Sequence, residues 1–470
     1  MPPLARTAHL RGAKMLTRED VRELANLDSQ LLIVVRDKVY DCTRWQDSHP
    51  GGRLTIRALC GHDATDAFDG MHPPYVQKRL KAFYYADLDP ADVGAAKTSK
   101  TVQDFRTLTE EMHREGMFQT NYSFYYRKAA ILVPLAALMV AAVICSQSLA
   151  VHVMAGALLG TLWQQIAFIG HDLGHNSVTH DLEMDGWLGV LLGNFLTGIS
   201  IGWWKRSHNV HHIVTNSVED DPDIQHMPIM AVDPIYVSQP VYSTFYDKYF
   251  VPSKLSHFLV SKQHIMYYPV MAFARFNLYA QSLMHAFGIV AYSPSEYMWR
   301  RKTQILALLG FWTWLLLLTF QLPTWTSRLL FFLVAHNVAG ILHVQITLSH
   351  FCMPSYTGNN YDIAKLDKDE GGYINVQLDG SLDIDCSKYM DWFHGGLQFQ
   401  AVHHLWPRMP RHNLRAAQAR LISFCASHDL KYHRASFFKA NGIMLARLRR
   451  TARAAQSLSS LFSDSINMAG

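Results

Sequence analysis

Four long apolar runs stand out along the chain, and they fall into two pairs. Ala129–Cys145 is followed, after only Ser146-Gln147-Ser148, by Leu149–Gly170; Gln304–Leu322 and Leu329–His350 are joined by the short stretch PTWTSR. Each run is near the ~20 residues that an α-helix needs to cross a bilayer. The pattern therefore predicts four transmembrane helices in two hairpins, each returning the chain to the side it left. Arg127-Lys128, Lys205-Arg206 and Arg300-Arg301-Lys302 flank the runs, while the two hairpin loops carry only Arg328. Basic flanks stay in the cytosol, which puts both termini and the long middle loop on that side. Trp187–Trp204 is a fifth uncharged stretch, rich in glycine. A crossing there would reverse everything after it, so it reads as re-entrant or interfacial. Met266–Tyr292 contains Arg275 and reads as another interfacial segment.

Ahead of these runs the pattern changes. Within residues 15–90, Thr17 and Asp20 mark a helix start, and LLIVV and KVYDC read as short strands of a separate soluble α+β module. Residues 91–105 (ADVGAAKTSKTVQDF) are small and polar and read as a linker. Residues 106–425 form an all-α integral membrane domain, and residues 426–470 a basic cytosolic tail. Arg447, Arg449, Arg450 and Arg453 of that tail suit an anionic leaflet. Residues 1–16 have no long apolar core, so no cleavable signal peptide is expected.

Composition narrows the class. Hydrophobic residues make up 49% of the 470 and charged residues only 17%, against about a quarter in soluble domains; a disordered or collagenous chain is excluded. The six cysteines lie far apart without a CxxC and read as reduced thiols. The formal charge of +5 comes with no nucleic-acid-binding motif, so membrane lipids rather than nucleic acid are the expected partners. The outlier is the count of 25 histidines, because histidine is the commonest metal ligand.

Two histidines belong to the N-terminal module. Ser48-His49-Pro50-Gly51-Gly52 is a rigid turn that lets a flat cofactor approach and projects an imidazole at it, and His72 follows after the helical DATDAFDG stretch. Two imidazoles from opposite walls would fill both axial positions of a haem iron and leave it an electron carrier. The HPGG turn, the GHDATDAF run and the later YYADL closely resemble cytochrome b5. The resemblance implies haem b, with His49 and His72 as axial ligands and His62 structural. Asp63, Asp66 and Asp69 border the haem edge, where they would attract a basic reductase or serve as solvated carboxylates.

Three further clusters sit at cytosolic ends of the apolar runs: His171-Asp172-Leu173-Gly174-His175, His208-Asn209-Val210-His211-His212 and Gln400-Ala401-Val402-His403-His404. Positions i, i+3 and i+4 share a helix face. At this histidine frequency one HxxHH is expected by chance about 0.07 times. Seven histidines and a glutamine exceed the needs of one tetrahedral ion, and two metals share them more naturally. With no thiolate and room for oxygen, iron fits. In the fourth run His336, His343 and His350 recur every seven residues, a stripe roughly 21 Å long. His350, at its cytosolic end, is an open candidate for an additional ligand; His343 is a weaker one and His336 packs against neighbours. Asp220, Asp221 and Asp223 are read as supporting or capping residues, not ligands; His180, His226 and His394 are unassigned.

Together the clusters resemble the histidine boxes of the membrane fatty-acyl desaturase and hydroxylase superfamily. Gln400 in place of a first histidine, with the N-terminal module, resembles its cytochrome b5-fused front-end branch. The stretches WWKRSHNVHHIVTNSVEDDPDIQHMP, FLVSKQHIMYYPVMAFARFNLYAQS and WFHGGLQFQAVHHLWPRMPRHNLR are most similar to delta-8 sphingolipid desaturases. Val402 departs from the glutamate that many front-end members carry, at a position off the ligand face. The resemblance implies an endoplasmic-reticulum enzyme using dioxygen and a diiron site on a sphingolipid long-chain base, with electrons from NADH through NADH-cytochrome b5 reductase. Its catalytic set would be His171, His175, His208, His211, His212, Gln400, His403 and His404, all but Gln400 binding the two non-haem iron ions. The linker would act as a flexible tether of roughly 20 Å that keeps the haem near the catalyst. A front-end fatty-acyl desaturase and a non-enzymatic haem- or metal-binding membrane protein are the alternatives.

Overall fold

In the N-terminal module four short strands form one sheet in the order Met15–Leu16, Tyr84–Leu88, Lys38–Asp41, Leu32–Val35. Leu32–Val35, at the sheet edge, pairs antiparallel with Lys38–Asp41, with Val34 opposite Val39, and the apolar residues of the sheet form the core against the Arg18–Leu27 helix. That helix starts on a reciprocal cap: the Asp20 N–H donates to Thr17 Oγ1 at 3.1 Å and the Thr17 N–H to the Asp20 carboxylate at 2.9 Å. The computed structural model describes residues 10, 12–27, 30–93, 99–289, 300–358 and 372–468, with side chains as far as 457.

Four helices are long and apolar enough to span a membrane: Tyr122–Cys145, Leu149–Gly174, Arg301–Phe320 and Trp325–Phe351. The last consists of two helices, Trp325–Ala339 and Ile341–Phe351, meeting at Gly340. Ile131, Val133, Leu306 and Leu317 are more than half exposed on these helices, as lipid-facing side chains must be. The second and fourth spans approach at backbone distance. A Cβ on Gly156 would stand 2.6 Å from the Phe331 carbonyl oxygen, and one on Gly160 would overlap that of Ala335, the small-residue packing by which helices associate in lipid. Backbone hydrogen bonding outlasts the apolar run, so His171 lies within the last turn of the second span rather than after it.

The fifth uncharged stretch is sharply bent, as a re-entrant loop or a broken span is. Leu182–Thr197 and Ile201–Ile213 meet at 108°, with Val190–Thr197 in π-helical form, and the second leg carries the second histidine box. Met266–Tyr292 differs from expectation. Residues up to Phe287 belong to a 34-residue helix, Lys254–Phe287, and residues 290–292 lie outside the described residues. Arg275 is buried, not interfacial: it donates to the Tyr279 hydroxyl and the Thr197 carbonyl and lies 4.5 Å from the Trp163 ring. Hydrogen bonds and a cation–π contact replace the water its charge has lost.

Two boundary expectations also change. Residues 94–98 of the expected linker lie outside the described residues, but Lys100–Arg114 is a helix with Val102 and Phe105 buried, so 99–105 is no free tether. Phe105 stacks on Trp406 at 5.3 Å, and Arg106 forks onto Asp66 at 2.7 and 3.0 Å. The helix is thereby clamped between the N-terminal module and the Gln400–Leu405 helix region. The expected tail is likewise part of the fold. Arg434–Ser436 pairs with Asp383–Asp385, and the helix from Phe437 packs along Lys254–Phe287, burying Ala440, Met444 and Leu448. Arg447 turns inward to Ser355 Oγ at 2.8 Å, whereas Arg449, Arg450 and Arg453 remain exposed.

Candidate functional site

The placement of the two N-terminal histidines follows from their turn and helix. His49 Nδ1 lies 3.1 Å from the Gly52 carbonyl and His72 Nδ1 3.0 Å from that of Phe68. A carbonyl accepts, so each Nδ1 carries the proton and each Nε2 offers a lone pair. The two rings face each other with centroids 5.8 Å apart. Burial lowers the basicity of both; for His72, burial and then neighbouring His49 push it down to about 3. Two half-buried neutral imidazoles opposed in this way fit the axial positions of a haem iron. The three aspartates beside the pocket are not a free acidic edge: Asp63, Asp66 and Asp69 pair with Arg18, Arg106 and Arg36.

The three boxes converge from separate helices. The second span ends in His171, with His175 as its cap; the Ile201–Ile213 helix brings His208, His211 and His212; and the Gln400–Leu405 helix brings His403 and His404. They sort into two groups whose ligand atoms lie within 4.8 Å of one another: His171, His175, His208 and His403, and then His211, His350 and His404. His350, left open by the sequence, joins the second group, with its Nε2 3.4 Å from that of His211. His212 lies between the groups, its Nε2 3.1 Å from His208 Nε2 and its ring stacked 4.2 Å from that of His404. His336 packs among Trp163, Phe276 and Phe332, and neither it nor His343 belongs to a group. Gln400 lines a small cleft with His171, His403 and Arg411.

Each nitrogen of the second group that is not turned inward is held from behind. His211 Nδ1 donates to Asp221 at 2.9 Å, His350 Nδ1 to the Gly380 carbonyl at 3.0 Å and His404 Nδ1 to Gln377 Oε1 at 2.9 Å. All three Nε2 atoms therefore point into the same space, the arrangement that orients imidazoles around a metal. Asp221 thus holds His211 from behind, and Asp223 lies 3.5 Å from His208 Nδ1. Burial opposes charge on His211, but Asp221 and Asp223 outweigh it and raise it to about 9. Burial, and then neighbouring histidines, hold His175, His212, His403 and His404 well below the ordinary value. His175 Nε2, His212 Nδ1 and His403 Nε2 are buried without a hydrogen-bond partner. Orphaned buried nitrogens are costly, and metal bonds relieve that cost. The donor set fits two metal ions of the kind imidazole suits, iron among them.

Gln377 and Gly380 were not among the residues singled out by the sequence. A lone glutamine before LDG has no motif, and a backbone carbonyl leaves no sequence signal at all.

Two family models match the chain. Residues 147–436 match the family model "Fatty acid desaturase", and residues 17–89 match "Cytochrome b5-like Heme/Steroid binding domain". The chain is 37% identical to a "Delta(8)-fatty-acid desaturase" of Helianthus annuus, over 95% of this chain and 93% of that protein. It is 30% identical to a "Delta 8-(E)-sphingolipid desaturase" of Komagataella phaffii, over 93% of each chain. It is 38% identical to an "Acyl-lipid (9-3)-desaturase" of Borago officinalis, over 93% of this chain and 94% of the relative.

Proposed function

Because this chain belongs to the fatty acid desaturase family and carries a cytochrome b5-like module at its N-terminus, we propose that it introduces a delta-8 double bond into the long-chain base of sphingolipids, free or within ceramide. The observation that carries the chemistry is the convergence of three boxes and His350 into two histidine groups at the ends of apolar helices. The delta-8 position and the sphingoid substrate are drawn from the relatives. We place the enzyme in the endoplasmic reticulum with both termini and the boxes cytosolic, and an NADH-cytochrome b5 reductase as the source of electrons for the haem.

Iron bound at the two groups would supply oxygen activation and removal of hydrogen from adjacent carbons. The protein's own part is orientation and exclusion of water. Asp221, Gln377 and the Gly380 carbonyl keep three Nδ1 atoms protonated and three Nε2 atoms turned inward. Asp172, buried, is held by Arg411 at 3.1 Å and by the Tyr125 hydroxyl at 3.0 Å, which fixes the helix end beside His171. The polar headgroup stops at the cytosolic interface and the tail enters the apolar region, so the position of attack is counted from the head.

A front-end acyl-lipid desaturase is the second reading, favoured by the Borago and Helianthus relatives. Expression in a host lacking delta-8 unsaturation, followed by mass spectrometry of long-chain bases and of glycerolipid acyl chains, separates the two. New unsaturation at the same distance from the head, in bases of every tail length, supports the proposal. Unsaturation confined to glycerolipid acyl chains overturns the substrate and leaves the family chemistry standing.

A further inference from the structure

The haem module and the histidine groups meet at a contact that neither uses for binding. Gly70 lies in the Thr65–Met71 helix, which is capped by His72. A Cβ built on Gly70 would stand 3.0 Å from the Tyr373 hydroxyl and 3.1 Å from the Leu405 carbonyl oxygen. A side chain there would force the two units apart by a few tenths of an ångström, so the glycine allows their close approach. The buried Tyr373 hydroxyl donates to the His404 carbonyl oxygen at 2.8 Å. Tyr373, Gln377 and Gly380 all belong to the Gly372–Gly380 helix, and their i, i+4, i+7 spacing puts them on one face. One short helix therefore touches the haem module near its start, binds His404 Nδ1 through Gln377 in its middle, and holds His350 through the Gly380 carbonyl at its end.

We propose that Tyr373 is the electron-entry contact of this protein: electrons leave the haem module at Gly70, cross the Tyr373 hydroxyl and reach the His211–His350–His404 group through His404. This rests on the reading of those histidines as iron ligands. Each transfer moves one electron; ferrous haem is oxidised to ferric, a ferric non-haem ion at that group is reduced to ferrous, and no bond forms or breaks. The nearby Phe105–Trp406 stack is a poorer route. Phe105 belongs to the connecting helix, and the Trp406 indole N–H donates to Thr109, not to a box residue.

The test uses the full-length protein loaded with haem and ferric non-haem iron, without oxygen or substrate. A light flash with an external photoreductant reduces the haem, and its reoxidation is followed by haem absorbance. Tyr373→Phe keeps the ring and removes the hydroxyl bond. It is expected to slow reoxidation about ten-fold or more, which corresponds to about 1.4 kcal/mol in the barrier, with haem spectrum, haem potential and iron content unchanged. Gly70→Ala should slow it too and should also speed hydrogen exchange in residues 65–72 and 372–380; Tyr373→Phe should leave that exchange unchanged. Tyr84→Phe, on an exposed strand position, should keep the parent rate. A Tyr373→Phe protein that reoxidises at the parent rate overturns the route, as does a Gly70→Ala protein that does so. A parent protein whose haem does not reoxidise at all removes the electron-relay reading together with the route, so the two failures are distinguishable.

Discussion

Gln377 offers a sharp test of the second histidine group, because it touches that group without being a ligand. Its Oε1 accepts from His404 Nδ1 at 2.9 Å and from Thr215 Oγ1 at 3.0 Å, and its Nε2 donates to the His212 carbonyl at 2.9 Å. Gln377→Leu keeps the approximate volume and removes all three bonds. Each is worth about 0.5–1.5 kcal/mol net, and His404 Nδ1 retains only Thr215 Oγ1 at 3.2 Å. Loss of such an orienting partner typically weakens metal binding by about 10–100-fold, or about 1.4–2.8 kcal/mol, which overlaps the range expected for the three bonds removed. Gln377→Glu retains an acceptor for His404 but has no donor for the His212 carbonyl, so it should fall between Leu and the parent. The assay is anaerobic titration of the metal-free protein with ferrous iron, with bound iron normalised to haem absorbance. A Leu variant with normal haem absorbance and parent-like iron affinity would refute the idea that Gln377 orients His404.

Two other perturbations probe other parts of the molecule. His49→Ala removes one of two opposed imidazoles and should abolish the six-coordinate low-spin haem spectrum; a retained bis-imidazole spectrum contradicts the pocket. Burial pushes the Asp383 carboxyl up to about 6, above its unfolded value of about 3.9. The folded state therefore binds more protons than the unfolded state between those values, and stability falls as pH rises from about 4 to about 6, by on the order of 3 kcal/mol. Asp383→Asn should flatten that slope in thermal unfolding across the window, and an unchanged slope refutes the assignment.

What could be read from the sequence was whatever local periodicity encodes. The four spans, the strands LLIVV and KVYDC, the HPGG turn and the three boxes all depend on spacing within a few residues. Contacts between distant segments were harder to read. His350 was visible as one of three regularly spaced histidines, but only the packing of the fourth span beside the second box brings it to His211. Gln377, 27 residues before His404, becomes its partner through tertiary contact. Polar composition suggested a free linker, but Val102 and Phe105 were enough to bury one face of its helix. The basic C-terminal segment had a similar second side: Ala440, Met444 and Leu448 form an apolar stripe beneath the arginines. Arg275 suggested an interface because charge favours water, yet Tyr279, Thr197 and Trp163 satisfy it inside.

The most direct test of the two-metal account is the ratio of non-haem iron to haem in the purified, fully loaded protein. The account predicts two non-haem irons per haem in the parent, one in His350→Ala, and an unchanged haem spectrum in both. One non-haem iron per haem in the parent, or two retained in His350→Ala at parent affinity, would contradict it.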